Sequence, residues 1–356
     1  MVVLAGEIGK ETSKLGIFSH QTVSKHTNIE NLLKSQIFPT KNYANGLHKM
    51  IEEFLDENYH GKISEDIYGA CFGIAAPVEK DGSATITYKN ELKAKLTVQE
   101  FRLTLPYKTV PVSFLNDMEA IGYGIFLGDG EDKLEPLHHA DYKPAPQDCR
   151  VLMLVSGGLG QALWYWDEKK GALHPISSEG GHTDFGARID RDIELLRYLK
   201  EQKEKQGDHS PVSYEYVLSI PGLVRIYAFL QNIPEGNSDK DANAIIEAAR
   251  QGDSLCKNAL DMFISIWGAQ AGNLALTYKA QGGVYIGGIS IPIEILKEGT
   301  FINAFTDKEG NFKSYNQGIS VKVFEDPDIV LWGAARYAID AGFVTKGKFA
   351  IMRANQ

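Results

Sequence analysis

An apolar stretch that ends abruptly in an Asn-Asp pair places the strongest constraint on what this chain folds into. Pro111–Leu115 is followed by Asn116 and Asp117, and the residues after the pair have the composition of a helix. In an α/β sheet, the carboxyl end of such a strand faces the crevice where ligands bind, so Asp117 is the first candidate for chemistry. Alternatively, Asp117 only caps a helix beginning at Met118, since Asp is a preferred N-cap residue.

Strand patterns alternate with helical patterns along the chain, which indicates an α/β fold. Apolar strand patterns occur at Ile67–Ala75, Val110–Leu115, Val151–Val155, Gly282–Ile289 and Val321–Phe324, and helical patterns at Asn45–Glu57, Ile189–Gln206, Leu260–Tyr278 and Ile329–Tyr337. Residues 128–147 contain acidic residues, glycine and three prolines, a composition typical of a loop. The length of 356 residues is sufficient for two domains.

Charge and cysteine content exclude several classes of function. The net charge of -9 and the pI near 5.6 argue against binding of nucleic acid or an anionic membrane surface. The three cysteines form no CxxC pair, so neither a structural zinc site nor a disulfide framework is indicated. Met1–Ala5 is too short for a signal-peptide core, and no apolar run reaches membrane length. We therefore expect a cytoplasmic protein with no membrane and no nucleic-acid partner.

Two glycine-containing turns each follow a predicted strand. The turn Gly6–Thr12 follows Val2–Ala5, and the turn Ser156–Gly160 follows Val151–Val155. Turns of this kind can present backbone NH groups to an anion. Taken alone, the glycines favour ordinary hairpin turns, since turns account for most glycine runs of this kind.

Three further polar residues are candidates for ligand binding. Glu179 and His182 flank a pair of glycines, so their side chains can converge on one small polar ligand while the backbone approaches it closely. Glu215 precedes an apolar run in a predicted first helical turn, where a surface glutamate is also favourable. The alternative for His182 is a structural histidine with satisfied hydrogen bonds. No second His or Cys lies at metal-ligand spacing, so no metal ligand is predicted.

Five motifs carry a resemblance to a known family: 115–122 (LNDMEAIG), 178–185 (SEGGHTDF), 215–224, 282–288 and 326–335. In their order and spacing the chain resembles the bacterial-type glucokinase family, within the actin-like, hexokinase-type superfamily of ATP-dependent enzymes. The resemblance extends from Val2 to about Tyr337.

The resemblance implies an α/β fold of the two-domain actin-like (ribonuclease H-like) sugar kinase type, with a cleft between the domains. The small domain would comprise residues 1–125 and 334–356, and the large domain residues 126–333. A homodimer is compatible with the family. The resemblance assigns no role to the tail at Asp340–Gln356.

The resemblance also implies a set of site residues. Asp117 would be the general base that takes the proton from the sugar 6-hydroxyl, and it would also contact the sugar. The other sugar ligands would be Asn90, Asn116, Glu179, His182 and Glu215. ATP and Mg²⁺ are the implied cofactors, and glucose or a related hexose is the implied substrate. The nucleotide contacts would come from Glu7, Gly9, Lys10, Thr12, Ser156, Gly157, Gly158, Gly287 and Gly288.

Both phosphate loops differ from the family pattern. Where the family has Asp-x-Gly-Gly-Thr, this chain has Glu7-Ile8-Gly9-Lys10-Glu11, so a hydroxyl is replaced by a charge that repels phosphate. Where the family has Gly-Thr-Gly-Leu-Gly, this chain has Ser156-Gly157-Gly158-Leu159-Gly160. The leading hypothesis is an ATP-dependent glucokinase that forms glucose 6-phosphate, the first step of glycolysis. The alternative is a catalytically impaired sugar-binding homologue, or a sugar kinase with a different phosphoryl donor.

Overall fold

The strand patterns of the sequence assemble into two large sheets, one in each of two units of the chain. The computed structural model describes residues 2–23, 26–43, 46–58, 67–87, 93–103, 110–126, 130–140 and 142–345. The first unit comprises Met1–Lys133 and Asp326–Gln356, and the second comprises Leu134–Glu325.

The N-terminal segment supplies the sheet of the first unit. Its elements are β1 (Val2–Ile8), β2 (Thr12–Val23), β3 (His26–Pro39), α1 (Lys49–Asn58), β4 (Ile67–Ile74), β5 (Ser83–Thr87), β6 (Lys93–Thr97), α2 (Val98–Leu103), β7 (Val112–Asn116) and α3 (Asp117–Phe126). The sheet order is β3-β2-β1-β4-β7, with β5 and β6 forming a separate hairpin. The pairs β1–β2 and β2–β3 are antiparallel, whereas β1–β4 and β4–β7 are parallel.

Aromatic side chains fill one face of this sheet. The rings of Phe72, Phe101 and Phe114 meet edge to face, with centroid separations of 4.9 Å for Phe72–Phe101 and 5.0 Å for Phe101–Phe114. All three are buried, together with Ile51 and Phe54 of α1. Burial of each such side chain contributes about 1.5–3 kcal/mol, so this cluster holds β4 and β7 in register.

The second unit contains the longer helices. Its elements are β8 (Glu135–His138), β9 (Arg150–Val155), β10 (Leu159–Asp167), β11 (Ala172–Ser178), α4 (Asp190–Lys205), α5 (Tyr214–Val217), α6 (Ile220–Gln231), α7 (Ala242–Arg250), α8 (Ser254–Thr277), β12 (Val284–Gly288), α9 (Ile293–Leu296), α10 (Thr300–Thr306), α11 (Asn311–Gln317) and β13 (Val321–Phe324). The sheet order is β11-β10-β9-β12-β13-β8. The strands β9, β12 and β13 are parallel, and the meander β9-β10-β11 is antiparallel.

The apolar helix predicted at Leu260–Tyr278 is the central helix of the second unit. It extends over Ser254–Thr277 as α8, and its N-cap residue Asp253 accepts a hydrogen bond from the Cys256 NH. Its rings at Phe263 and Trp267 are fully buried. It is therefore a core helix, as its spacing predicted. Among the described residues, no helix is both long enough and apolar enough to cross a membrane.

The helix α12 (Ile329–Thr345) returns the chain to the first unit. It packs closely on α3 because small residues line the contact: a Cβ at Gly333 would lie 1.6 Å from the Ala120 carbonyl oxygen, and one at Gly124 would lie 2.7 Å from that of Ile329. Arg336 Nη1 also donates to the Gly124 carbonyl oxygen at 2.6 Å. These contacts keep 326–333 with the first unit, so the units divide at Lys133/Leu134 and Glu325/Asp326 rather than at the expected 125/126 and 333/334.

Several strands, among them β3, β8 and β11, differ from the sequence-based expectation. Residues 128–147 were predicted to be a loop, but β8 forms within them and pairs with β13 at the edge of the sheet, where Pro136 is tolerated. The strands β3 and β11 also carry no clear apolar pattern, since each is an edge strand. Exposed apolar side chains on β3, such as Ile37 at 63%, illustrate why alternation is lost there.

Candidate active site

The Asn-Asp pair lies at the junction of β7 and α3, as the sequence predicted. Asn116 ends β7 and Asp117 begins α3. The Asn116 Oδ1 atom accepts from the Met118 NH at 3.0 Å, and the Asn116 NH donates to Glu119 Oε2 at 3.2 Å. Asn116 is therefore the N-cap residue, and Glu119 reaches back to its NH as in a capping box. The alternative that Asp117 merely caps a helix from Met118 is therefore wrong in its register: Asp117 is the first helical residue.

The environment of Asp117 suits a base that works near neutral pH. Burial raises the pKa of Asp117 to about 6, against the opposing effects of NH donors, the Asn116 side chain and the charge of Lys10. The Met118 NH donates to its Oδ1 at 2.8 Å. A carboxylate with this pKa is mostly ionised at pH 7 and still basic enough to accept a proton.

Glu7 lies at the same edge of the first sheet as Asp117. The register pairs Ile8 with Ile74, and Ile74 with Asn116, so the carboxyl ends of β1, β4 and β7 are aligned. Burial, followed by the charges of Asp117 and Asp328, raises the pKa of Glu7 to about 7. Glu7 and Asp117 therefore form an electrostatically coupled pair of carboxyl groups.

The turn after β1 carries charges beside this pair. The Gly9 NH donates to the Thr12 carbonyl oxygen at 3.1 Å, and a Cβ at Gly9 would lie 2.6 Å from that oxygen, so glycine is required there. Lys10, Glu11 and Thr12 are exposed. Within the described part of the chain Lys10 forms no ion pair, and its charge lowers the pKa of Asp117. The turn thus presents a cation near Asp117.

In the second unit, Glu179, His182 and Glu215 come together as predicted. His182 Nε2 lies 3.9 Å from Glu179 Oε2, and His182 Nδ1 lies 3.9 Å from Glu215 Oε1. The side chains of Glu179 and His182 are 76% and 61% exposed, and that of Glu215 is 35% exposed. With this exposure, His182 is not a buried structural histidine. The three side chains form an accessible acceptor-rich cluster suited to sugar hydroxyls.

Glycines and a backbone bridge hold this cluster in place. Gly180–His182 forms a single 3-10 turn after β11, and a Cβ at Gly181 would lie 2.2 Å from the Leu159 carbonyl oxygen. The Tyr214 NH donates to the Thr183 carbonyl oxygen at 2.9 Å. This bridge brings α5, which carries Glu215, against the turn that carries His182.

The turn after β9 lies directly beside Glu215. Glu215 Oε2 accepts from the Leu159 NH at 3.0 Å, and a Cβ at Gly158 would lie 2.6 Å from Glu215 Oε2. The Ile220 NH at the start of α6 donates to the Ser156 carbonyl oxygen at 2.7 Å. Glu215 is therefore not an ordinary surface residue: it fixes the turn whose backbone was predicted to meet phosphate.

The two later glycines adjoin the same turn. Gly288 pairs with Val155 across β12 and β9, has a φ of 108°, and would place a Cβ 2.0 Å from the Val155 carbonyl oxygen. A Cβ at Gly287 would lie 2.4 Å from the Phe324 ring. Glycine is thus required at both positions, and Ser156, Gly157 and Gly158 lie next to them.

The sequence did not single out Gln161, although it lies beneath the Gly180–His182 turn. It is 3% exposed, and a Cβ at Gly180 would lie 2.3 Å from its Oε1 atom. Its Nε2 atom is buried and finds no hydrogen-bond partner among the described residues. The sequence feature that could have identified Gln161 is its position as a polar residue within the otherwise apolar run of β10. The predicted sugar ligand Asn90 lies outside the described residues.

Comparison with known protein families assigns the chain to one of them. The family model described as Glucokinase matches residues 4–341, nearly the whole chain. The chain belongs to the glucokinase family. It is 32% identical to the glucokinase of Nostoc sp. strain PCC 7120, covering 94% of this chain and 98% of that one.

Solved structures agree with the family assignment. Glucokinase from an Antarctic psychrotroph superposes with a TM-score of 0.76 at 25% identity, covering 95% of this chain and 99% of that one. A ROK family glucokinase from Streptomyces griseus, in complex with glucose and AMPPNP, gives a TM-score of 0.55 at 16% identity, covering 96% of this chain and 100% of that one. The predicted actin-like sugar kinase fold and the kinase class are confirmed, and nothing in the comparisons supports a non-catalytic homologue.

Proposed function

We propose that this glucokinase family member transfers the γ-phosphoryl group of ATP to the 6-hydroxyl of glucose with Asp117 as the general base. The observation that carries the proposal is Asp117 itself, a carboxylate at a strand end whose pKa is raised by burial to about 6. It accepts the hydroxyl proton as the sugar oxygen attacks the γ-phosphorus and ADP leaves. Phosphoryl transfer depends mostly on positioning and charge stabilisation, so one placed base and a set of ligands suffice.

Glucose would be held by Glu179, His182 and Glu215, with Asn90 and Asn116 as further ligands. Their support is the 3.9 Å spacing around His182, which leaves carboxylate oxygens available to several hydroxyls at once. Asn116 already uses Oδ1 for the cap and donates Nδ2 to the Ala76 carbonyl oxygen at 3.3 Å. Asn116 therefore has only part of its hydrogen-bonding capacity left for the sugar.

The second turn has the donor set that a phosphate needs. No described residue accepts a hydrogen bond from the NH groups of Gly157 or Gly158, and a Cβ at Gly157 would meet nothing within 4 Å. These open NH groups, with the Ser156 hydroxyl beside them, would bind phosphate oxygens. Gly287 and Gly288 would let the nucleotide approach the backbone of β12.

The first turn would complete the nucleotide site through Gly9, Lys10 and Thr12. The exposed Lys10 cation offsets the negative charge of Glu11 and would pair with a phosphate. No cluster of three or more metal-ligating side chains exists among the described residues. Mg²⁺ fits nonetheless, since it is usually held by one or two carboxylates together with substrate phosphates, and Glu7 and Asp117 are the available carboxylates. Bound there, the ion would neutralise developing phosphate charge.

Turnover with glucose and magnesium-ATP in a coupled assay tests the proposal. We expect glucose-dependent ADP formation well above that of Asp117→Asn. Glucose binding in calorimetry without any turnover above that variant would overturn the assignment and leave the non-catalytic alternative. We also propose a cytoplasmic homodimer, in keeping with the family resemblance; a monomer mass in light scattering at micromolar concentration would contradict it.

A further inference from the structure

Glu215 stands on a helix too short to hold its own orientation. The helix α5 has four residues, Tyr214–Val217, so it lacks the repeated hydrogen bonds that stabilise longer helices. Its N-cap residue Ser213 accepts from the Tyr216 NH at 3.3 Å. The direction of the Glu215 side chain must therefore be fixed by contacts from neighbouring elements.

The next residue, Tyr216, is held by hydrogen bonds and a cation–π contact from neighbouring elements. Its hydroxyl donates to Glu235 Oε2 at 2.6 Å, and Arg225 Nε donates to Glu235 Oε1 at 2.6 Å. The Arg225 guanidinium lies 3.8 Å from the centre of the Tyr216 ring. Arg225 Nη1 also donates to the Tyr216 carbonyl oxygen at 3.1 Å, which is one of the acceptors left open at the end of α5. Tyr216, Arg225 and Glu235 thus form a closed network, here called the Tyr216 clamp.

Two residues of α4 extend the clamp. Lys203 Nζ lies 4.7 Å from the centre of the Tyr216 ring, and the Glu235 NH donates to Gln202 Oε1 at 3.1 Å. The side chains of Arg225 and Glu235 are only 19% and 15% exposed, so their ion pair is weakly screened by solvent. Each member of the clamp forms a polar contact with both other members, which favours one rigid arrangement.

We propose that Tyr216, Arg225 and Glu235 are positioning residues that orient Glu215 for the sugar. The proposal rests on the sugar-ligand role of Glu215 given above. The clamp fixes the residue immediately after Glu215 by its ring, its hydroxyl and its carbonyl oxygen. Glu215 in turn touches His182 and the Leu159 NH, so a loosened α5 would displace the acceptor cluster without changing its composition.

The test uses Tyr216→Phe and Glu235→Gln, which preserve shape and remove the hydrogen bond or the charge. We expect the glucose Kd in calorimetry and the glucose KM to rise about tenfold, because hydrogen bonds to charged groups have roughly that effect. The kcat and the KM for magnesium-ATP are expected to stay within about twofold, as for lost uniform binding of the sugar. Using two variants guards against one that folds poorly.

The chain offers a matched control in Tyr227→Phe. Tyr227 lies on α6, the helix that carries Arg225. Its hydroxyl donates to Asp239 Oδ1 at 3.4 Å, and Lys240 Nζ lies 5.6 Å from its ring centre, so its partners are of the same kinds as those of Tyr216. No hydrogen bond joins it to α5 within the described residues. Glucose affinity should be unchanged in this variant. An equal loss of glucose affinity in Tyr227→Phe would mean that general weakening of the unit, rather than positioning, causes the effect.

A double-mutant cycle separates this proposal from the one it rests on. If the clamp acts through Glu215, Tyr216→Phe should add no further loss of glucose affinity in a Glu215→Gln background. Additive losses would overturn the positioning role and leave Glu215 as a ligand. Unchanged glucose affinity in Glu215→Gln alone would instead remove the sugar-ligand role. Unchanged affinity in both clamp variants, with Glu215→Gln impaired, would refute the clamp alone.

Discussion

Five strands of each sheet follow the same order, but the turns after β1 and β9 differ, and the second sheet adds the edge strand β8. The orders β3-β2-β1-β4-β7 and β11-β10-β9-β12-β13 correspond strand by strand, with three antiparallel strands followed by two parallel ones. The turn after β1 contains Lys10 and Glu11, whereas the turn after β9 is Ser156-Gly157-Gly158 without any charge. The same strand arrangement therefore carries a charged turn in the first unit and an uncharged turn in the second.

The turn after β1 acts on its neighbours through charge, whereas the turn after β9 is held by direct contacts. The charged turn lies beside two carboxyl groups of raised pKa, and Lys10 acts on Asp117 through its field. The uncharged turn is instead fixed by contacts, from Glu215 to the Leu159 NH and from Ser156 to α6. We expect substitutions in and beside the charged turn to act through charge, so that their effects depend on pH or salt, and substitutions beside the uncharged turn to act by displacing its neighbours.

The largest effect is expected for Asp117→Asn. Removing the base should lower kcat by about 10³-fold, within the range for general-base catalysis, while the glucose Kd changes little. The same exchange at Asp328, which pairs with Lys14 at 2.6 Å, is the control and should change kcat less than about threefold. Steady-state kinetics with calorimetry measures both quantities. Equal losses at both positions would show that charge near Glu7, not proton transfer, limits the rate.

A smaller effect should distinguish two adjacent glycines of the uncharged turn. In Gly158→Ala the new Cβ meets Glu215 Oε2 at 2.6 Å and must displace it, so we expect the glucose KM to rise by about 30-fold. In Gly157→Ala the Cβ meets nothing within 4 Å, so glucose affinity should be retained and only the magnesium-ATP KM should rise. Identical kinetics for the two variants would contradict the division between sugar side and nucleotide side.

In the charged turn, Lys10→Gln and Glu11→Gln should act in opposite directions. Removing the cation should raise the magnesium-ATP KM by about fivefold, and removing the anion should lower it by a similar factor, since both residues are exposed. The two effects should shrink as salt is increased from 0.05 to about 0.5 M. A change of the same sign in both variants would indicate altered turn conformation rather than charge.

The smallest effect concerns stability and pH. A carboxyl group whose pKa is raised by folding binds its proton more tightly in the folded state, so its contribution is favourable below its ordinary pKa and is lost as pH rises through the raised one. For Glu7, which shifts from 4.5 to about 7, the loss occurs between those values. Glu7→Gln should therefore gain Tm relative to the wild type as pH rises from 5 to 8, by about 3 °C.

The exposed Glu52 supplies the comparison for this measurement. Its replacement by Gln should shift Tm equally at both pH values. If the Glu7→Gln difference were also independent of pH, folding would not raise the pKa of Glu7.

Sequence patterns located the buried strands well and the edge strands poorly. The predicted strands at Ile67–Ala75 and Val321–Phe324 agree with β4 and β13 within one residue, because every side chain along β4 is buried and the apolar run is continuous. β8 was predicted as loop, since an edge strand in contact with solvent on one side tolerates proline and acidic residues. Pairing with β13, a contact distant in sequence, decides its conformation.

In the candidate site, the side chains predicted within each unit lie close together. The motifs did not predict which other residues hold these side chains in place. The convergence of Glu179, His182 and Glu215 was predictable because all three belong to recognised motifs. The capping of α3 by Asn116 depends on one residue of register, which propensity does not resolve. Arg225 and Glu235 lie in no motif, and only the packing of α6 against α5 brings them to Tyr216.

The close packing of α12 against α3 has a consequence for how the chain is made. Because the first unit includes residues on both sides of the second, its N-terminal strands emerge from the ribosome long before α12, whereas Leu134–Glu325 is continuous. Domains generally fold as units during synthesis, so the second unit can mature first while the first unit waits for its last helix. The helix that begins with Asp117 then acquires its neighbour α12 only after Leu134–Glu325 has been synthesised.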